Sequence, residues 1–352
     1  MLEVKVPGKL YLAGEYAVVE PGHKAVVMAI DKFIKVIISY SDIGQIYVDG
    51  KNPIQYYRKN KKIILEDEDQ YYKYVLKAME IAEEFLQAKG FNLEYYRLEI
   101  FSDLDSDKHK KYGLGSSGAV VVATIKAILE LYSYHYSKLD LFKLSALSTI
   151  LLNPKSSCGD LAASVYTGLI KYQSFSRLDI LEEYKKTDIL NIIDKEWEYL
   201  DIEKINVKNT LDVEVGWSGE EASTEKLVDK SRSKLDKTYM ENFLIESDAI
   251  VENVSLALEE GNLNLLKAEI KANRDLLNDY AKATGFKYEI DKLKILINTA
   301  VIVGYASKAS GAGGGDCGIA IGLIENKKQL IEEWEKAGII NLDLKIFEEH
   351  NE

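Results

Sequence analysis

Apolar and polar residues alternate through Glu3-Val4-Lys5-Val6, and a β-branched apolar run follows at residues 33–38, so the chain is expected to open in β structure. The period then lengthens. Residues 71–86 place Tyr74, Val75, Ala78, Ile81, Ala82 and Phe85 at the spacing of one helix face. Residues 95–102 return to a strand pattern, and residues 119–132 read as an apolar helix entered straight from a glycine-rich segment at 113–118. A helix at 139–152 is closed by Asn153-Pro154, a small-residue turn occupies 156–159, and 168–175 reads as a strand. Between 175 and 209 charge rises and the pattern weakens, which marks a change of domain. Residues 213–217 open a second β-containing unit, and helices at 239–258 and 263–280, divided by Gly261-Asn262, predict a helical hairpin. A helix at 291–303 leads to a second glycine-rich loop, 310–318, and a strand at 319–324. The expected division is 1–190 and 191–352, two domains being the usual answer for a chain of 352 residues.

Composition narrows the function classes. Hydrophobic residues at 47% and charged residues at 29% are the balance of a folded globular protein. The net charge of -12 argues against nucleic acid or an anionic membrane as partner, so any anionic ligand needs a locally basic pocket. Two cysteines, Cys158 and Cys317, leave no disulfide framework and suit a reducing compartment. Residues 1–12 carry neither a basic leader nor a long apolar run, and later apolar runs are too short for a bilayer. A cytoplasmic protein is expected, as monomer or homodimer.

Gly113-Leu114-Gly115-Ser116-Ser117-Gly118 satisfies GxGxxG, but its setting excludes the familiar owners of that pattern. A dinucleotide-binding loop follows a strand directly, whereas a polar loop precedes this one. A protein kinase needs HRD and DFG segments, and a P-loop needs Lys-Ser or Lys-Thr after its last glycine; neither is present. What remains is a helix N-terminus whose amides and dipole suit a phosphate, with Ser116 and Ser117 adding hydroxyls of the kind magnesium accepts. An ordinary capped helix start is the competing reading. Residues 308–318, Lys-Ala-Ser-Gly-Ala-Gly-Gly-Gly-Asp-Cys-Gly, hold more glycine than a turn requires. Each glycine costs about 0.5–1 kcal/mol relative to alanine in regular structure, which points to backbone wrapped around a ligand, with a hinge as the alternative.

Three segments in order resemble the GHMP kinase family: Pro7-Gly8-Lys9-Leu10-Tyr11-Leu12-Ala13-Gly14-Glu15-Tyr16-Ala17-Val18, residues 113–119, and residues 308–318. The resemblance covers nearly the whole chain. It implies an α+β, two-domain GHMP kinase fold with an N-terminal domain like ribosomal protein S5 domain 2, a ferredoxin-like C-terminal domain, and ATP between them. Gly14-Glu15-Tyr16-Ala17-Val18-Val19-Glu20-Pro21-Gly22, Ser156-Ser157-Cys158-Gly159-Asp160 and Val215-Gly216-Trp217-Ser218 resemble the family's bacterial phosphomevalonate kinase branch, and mevalonate kinases typically carry His where Tyr16 stands. The implied reaction is ATP-dependent phosphorylation of (R)-5-phosphomevalonate to 5-diphosphomevalonate in the mevalonate route to isoprenoids. A mevalonate kinase or another small-molecule kinase of the family is the alternative, and a non-catalytic nucleotide sensor stands behind it.

The resemblance also implies roles. Lys9, expected at the end of a strand, would stabilise charge on the transferring phosphoryl group. Asp160 matches the family aspartate, but a phosphate acceptor is already ionised near neutral pH, so Asp160 is expected to orient as much as to take a proton. ATP is expected on Lys111, Gly113, Leu114, Gly115, Ser116, Ser117 and Gly118, with Ser117 on Mg²⁺. Phosphomevalonate is expected on Glu15, Tyr16, Ser157, Ser218, Arg274, Ser310, Gly311 and Ala312, Arg274 offering a planar fork to its phosphate.

Overall fold

The computed structural model describes residues 1–67, 69–104, 112–208, 211–220 and 235–349. Its first sheet is built on a long antiparallel pair, β1 (Leu2–Ala13) and β2 (Lys24–Tyr40). On its other edge β2 takes two neighbours, β6 (Tyr96–Ser102) along residues 34–40 and β7 (Leu169–Gln173) along residues 24–28. β3 (Gly44–Val48), β4 (Ile54–Lys59) and β5 (Lys62–Leu65) extend the sheet beyond β6, and β8 (Asp201–Lys204) flanks β7.

Four helices build on this sheet: α1 (Lys73–Ala88), α2 (Ser116–Leu131), α3 (Lys138–Leu152) and α4 (Gly159–Tyr166). α2 and α4 lie on β1 and β2, while α1 and α3 pack against α2. The reason is visible in the side chains. α1 buries one stripe, Val75, Ala78, Met79, Ala82, Phe85 and Leu86, whereas α2 buries Val121, Val122, Ile125, Ile128 and Leu129 among others on nearly every face. At about 1.5–3 kcal/mol per large apolar side chain removed from water, such a helix is held firmly, and so is the loop that enters it. Two short helices, α5 (Arg177–Tyr184) and α6 (Ile189–Asp194), follow.

A second, wholly antiparallel sheet comprises β9 (Asp212–Trp217), β10 (Ala306–Ala309), β11 (Cys317–Gly322) and β12 (Ile340–Asn341), in the order β10-β11-β9-β12. With it go α7 (Lys237–Glu260), α8 (Leu263–Thr284), α9 (Asp291–Val303) and α10 (Lys327–Lys336). α8 and α9 pack on β10, while α7 reaches across to the first sheet. There Asp248 accepts from the Lys24 amide at 3.0 Å and Glu252 from its ammonium at 2.6 Å. The buried apolar residues of both units form one continuous core.

The fold is the expected α+β arrangement in two units, with three differences of detail. β8 pairs with β7, so the first sheet continues to Lys204 and the second begins at Asp212, whereas the expected division lay at 190. Lys9 lies within the twelve residues of β1, not at a strand end, because the ladder shifts register between Pro7 and Gly8 and then resumes. The β3–β5 strands were not expected. Among the described residues no helix is long and apolar enough to cross a membrane.

Candidate active site

Lys9 stands at the centre of the site. Residues two apart on a strand share a face, and the Lys9 ammonium lies 5.4 Å from the centroid of the Tyr11 ring. Its own backbone N–H donates to Leu114 O at 2.8 Å, and its ammonium donates to Gly113 O at 3.3 Å. The side chain lies flat across Gly115, where an added methyl group would come within 2.8 Å of Lys9 Cε. Gly115 also has φ 85°, so glycine is required there by both space and backbone.

The first glycine loop opens into α2 with no side-chain cap. The amides of its first turn have no acceptor within the helix and carry the positive end of its dipole. Ser117 is exposed there and Ser116 half-buried. A second helix start, that of α4, also lacks a side-chain cap from its preceding residue Cys158, whose φ is 62°. Asp160 sits in this first turn and accepts from the Leu161 amide and its own, while a methyl group at Gly118 would lie 2.9 Å from Asp160 Cγ. Two helix N-termini thus flank one lysine.

Burial pulls the Lys9 ammonium below the usual lysine range, opposed by Asp160, Asp316, Cys317 and Glu15. Burial likewise pushes Asp160 upward, opposed by Lys9 and by the two amides. The Cys158 thiol is pushed up by burial to about 12 and that of Cys317 higher still, so both remain protonated and neither is a nucleophile.

The second glycine loop meets the first. A methyl group at Gly113 would lie 2.5 Å from Asp316 Cγ, and Cys317 Sγ approaches Tyr112 O at 3.1 Å. The loop is also tied, residue by residue, to the segment after Lys9. Ser310 Oγ accepts from Tyr11 N at 2.9 Å and donates to Tyr11 O at 3.0 Å. The Gly311 amide donates to Glu15 Oε1 at 3.2 Å, and Tyr16 Oη donates to Ala312 O at 2.6 Å. Glu15 is buried and ion-paired with the fully buried Lys308, while Asn273 donates to its other oxygen at 3.2 Å.

Several residues expected on the substrate make contacts within the chain. Glu15, Tyr16, Ser310, Gly311 and Ala312 bind one another, forming a clasp between the two units. Arg274 grips Glu289 with both arms of its fork, at 2.6 and 2.8 Å, and donates to Asn298 at 3.2 Å, so its guanidinium is committed within the C-terminal unit. Buried Ser218 shapes the turn that carries Asp316, its amide donating to Asp316 O at 3.0 Å. Ser157 does lie beside the Lys9 face, its hydroxyl 3.1 Å from Tyr11 Oη. Lys111 lies outside the described residues. Gly113, Leu114, Gly115, Ser116, Ser117, Gly118, Lys9 and Asp160 come together in one place. Tyr11 and Asp316 were given no role from the sequence; the two-residue spacing from Lys9 and an acid inside a glycine run were the available signals.

The chain matches the family model for the GHMP kinases N terminal domain over residues 73–168 and that for the GHMP kinases C terminal over residues 255–340. It is 33% identical to the phosphomevalonate kinase of Streptomyces sp. (strain CL190), covering 96% of this chain and 95% of that one. A crystal structure of a protein from Listeria innocua superposes with a TM-score of 0.91 at 33% identity, covering 99% of each chain. The phosphomevalonate kinase of Streptococcus pneumoniae, solved in complex with phosphomevalonate and AMPPNP, superposes with a TM-score of 0.89 at 29% identity, covering 99% of this chain and 100% of that one.

Proposed function

The chain belongs to the GHMP kinase family, and from that premise we propose that it transfers the terminal phosphoryl group of ATP to the phosphate of (R)-5-phosphomevalonate, giving 5-diphosphomevalonate and ADP. The observation that carries this reading is the convergence of β1, both glycine loops and two helix N-termini on Lys9, in a chain whose likeness to phosphomevalonate kinases runs from end to end.

Phosphoryl transfer demands chiefly alignment and neutralisation of charge. The amides of Ser116, Ser117 and Gly118, at the positive end of α2, suit the triphosphate, and the rigid seating of α2 keeps them in place before ATP arrives. Lys9 reaches the same point from β1 and would carry the charge that develops on the transferring group. Asp160 holds Lys9 in register from the start of α4. It need not act as a base, since a phosphate monoester has a second pKa of about 6. Among the described residues no three His, Cys, Asp or Glu side chains gather as a metal cage. Mg²⁺ would rest on the Ser117 hydroxyl and on the nucleotide's own oxygens, a hard-oxygen set that suits it and supplies charge neutralisation. Ser157, beside Tyr11, is a candidate for an acceptor contact. We place the enzyme in the cytoplasm, as monomer or homodimer.

The test is ADP release with mevalonate, phosphomevalonate and diphosphomevalonate offered separately. The expected result is turnover with phosphomevalonate at least about a hundredfold above the others in kcat/KM, the scale on which loss of a built-in polar contact discriminates. Fastest turnover of mevalonate itself would overturn the substrate while leaving the family intact.

A further inference from the structure

We propose that Asp316 is a positioning residue for Lys9, its carboxylate carried by the second glycine loop onto the first so that Lys9 is flanked from both ends of that loop. Asp160 holds the Gly118 end and Asp316 holds the Gly113 end, with the Lys9 side chain lying over Gly115 between them. The inference rests on the reading of Lys9 as the cation at the transferring phosphoryl group.

The backbone supplies an independent argument. Gly313, Gly314, Gly315 and Asp316 have φ of 71°, 76°, 156° and 58°. Glycine is the undemanding choice at positive φ, yet the fourth position carries a side chain there. A residue kept in a sparsely populated conformation points to a task for its side chain. The surroundings also fix the main chain there. The Asp316 amide donates to Glu220 O at 2.7 Å, its carbonyl accepts from the Ser218 amide at 3.0 Å, and Ser218 Oγ donates to Glu220 O at 3.2 Å. The turn that follows β9 thereby fixes the backbone that carries the carboxylate.

Among the described residues, the charged or titratable groups facing Lys9 are Asp160 from α4, Asp316 and Cys317 from the second loop, and Glu15 and Tyr11 from the β1 segment. Glu15 is neutralised by Lys308, and burial keeps Cys317 and Tyr11 protonated. Asp160 and Asp316 are thus the two carboxylates placed to keep the Lys9 ammonium charged and aimed. Losing either lets Lys9 shed its proton at a lower pH.

The experiment compares Asp316→Asn, Asp316→Gly and Lys9→Met with the full wild-type chain, measuring kcat, both KM values, the Mg²⁺ requirement and thermal stability across pH. Asparagine tolerates the left-handed backbone and glycine relaxes it, so one of the two variants keeps the fold. For both Asp316 variants the expected result is about a tenfold fall in kcat, KM values within about threefold, an unchanged Mg²⁺ requirement, and an alkaline limb of the kcat profile moved about half to one unit to lower pH. Wild-type kcat and an unmoved alkaline limb would overturn the proposal, as would an effect on melting temperature alone. A raised Mg²⁺ requirement, or a large rise in phosphomevalonate KM at constant kcat, would make Asp316 a ligand contact and equally overturn it. Wild-type turnover in Lys9→Met would locate the failure in the reading of Lys9 instead.

Discussion

The first glycine loop ends in a helix whose opening amides have no side-chain cap, whereas the second, with more glycine, has Ser310, Gly311 and Ala312 each bonded to residues 11–16. Both are close-approach segments, but what approaches differs. In the first, the Lys9 side chain crosses Gly115 and leaves the amides facing outward. In the second, the polypeptide itself comes near: the backbone of Tyr11, the side chains of Glu15 and Tyr16, and Tyr288 lie against it. Glycine density therefore reports crowding. Whether the crowding partner is a ligand or another strand is decided by the hydrogen bonds already made.

Four substitutions test this contrast. Lys9→Met removes the cation at the open loop and should lower kcat by about 10³-fold, about 4 kcal/mol at the transition state, with little change in melting temperature; steady-state ADP release and a thermal melt check it. Gly115→Ala puts a methyl group against Lys9 Cε at a left-handed position. A fall of about 10²-fold in kcat/KM for ATP is expected, since misplacement by about 1 Å costs that much, and calorimetric titration with a non-hydrolysable nucleotide would register the weaker binding.

Asp160→Asn is expected to cost about tenfold in kcat, less than a general base would. Burial raises the Asp160 pKa, so its charge is present above that raised value and is lost as pH falls through it. The substituted enzyme should accordingly show a flatter acid limb in kcat against pH. The smallest kinetic effect belongs to the clasp. Tyr16→Phe deletes the bond to Ala312 O and should cost about 1–2 kcal/mol of stability, lowering the melting temperature by several degrees, while kcat stays within about threefold. A collapse of kcat with an unchanged melt would show that Tyr16 serves the ligand and would erase the distinction between the loops.

Much of the fold was legible because its signals are local. The apolar stripe of α1 and the glycine entry to α2 are each contained in one stretch of sequence. The β4–β5 hairpin was not, since it turns through Asn60-Lys61 with φ of 51° and 62°. Lysine is a poor advertisement for a turn that glycine usually completes. The site divides the same way. Lys9, the first loop and Asp160 were recognisable as contiguous motifs. The clasp was not legible because the partners of Glu15, Tyr16 and Ser310 lie nearly three hundred positions away, with Tyr16 and Ala312 separated by 296. A carboxylate, a phenol and a hydroxyl beside a glycine run look the same in sequence whether they await a substrate or each other. Arg274 is a similar case, because nothing local announces that Glu289 will occupy its fork.

The joint between Tyr11 and Ser310 spans 299 positions, and this bears on how the molecule comes into being. On the ribosome, the phosphate-cradling helix emerges early, yet the loop that carries Ser310 and Asp316 is among the last portions translated. Lys9 therefore gains its neighbours from that loop only after nearly all of the chain has been made.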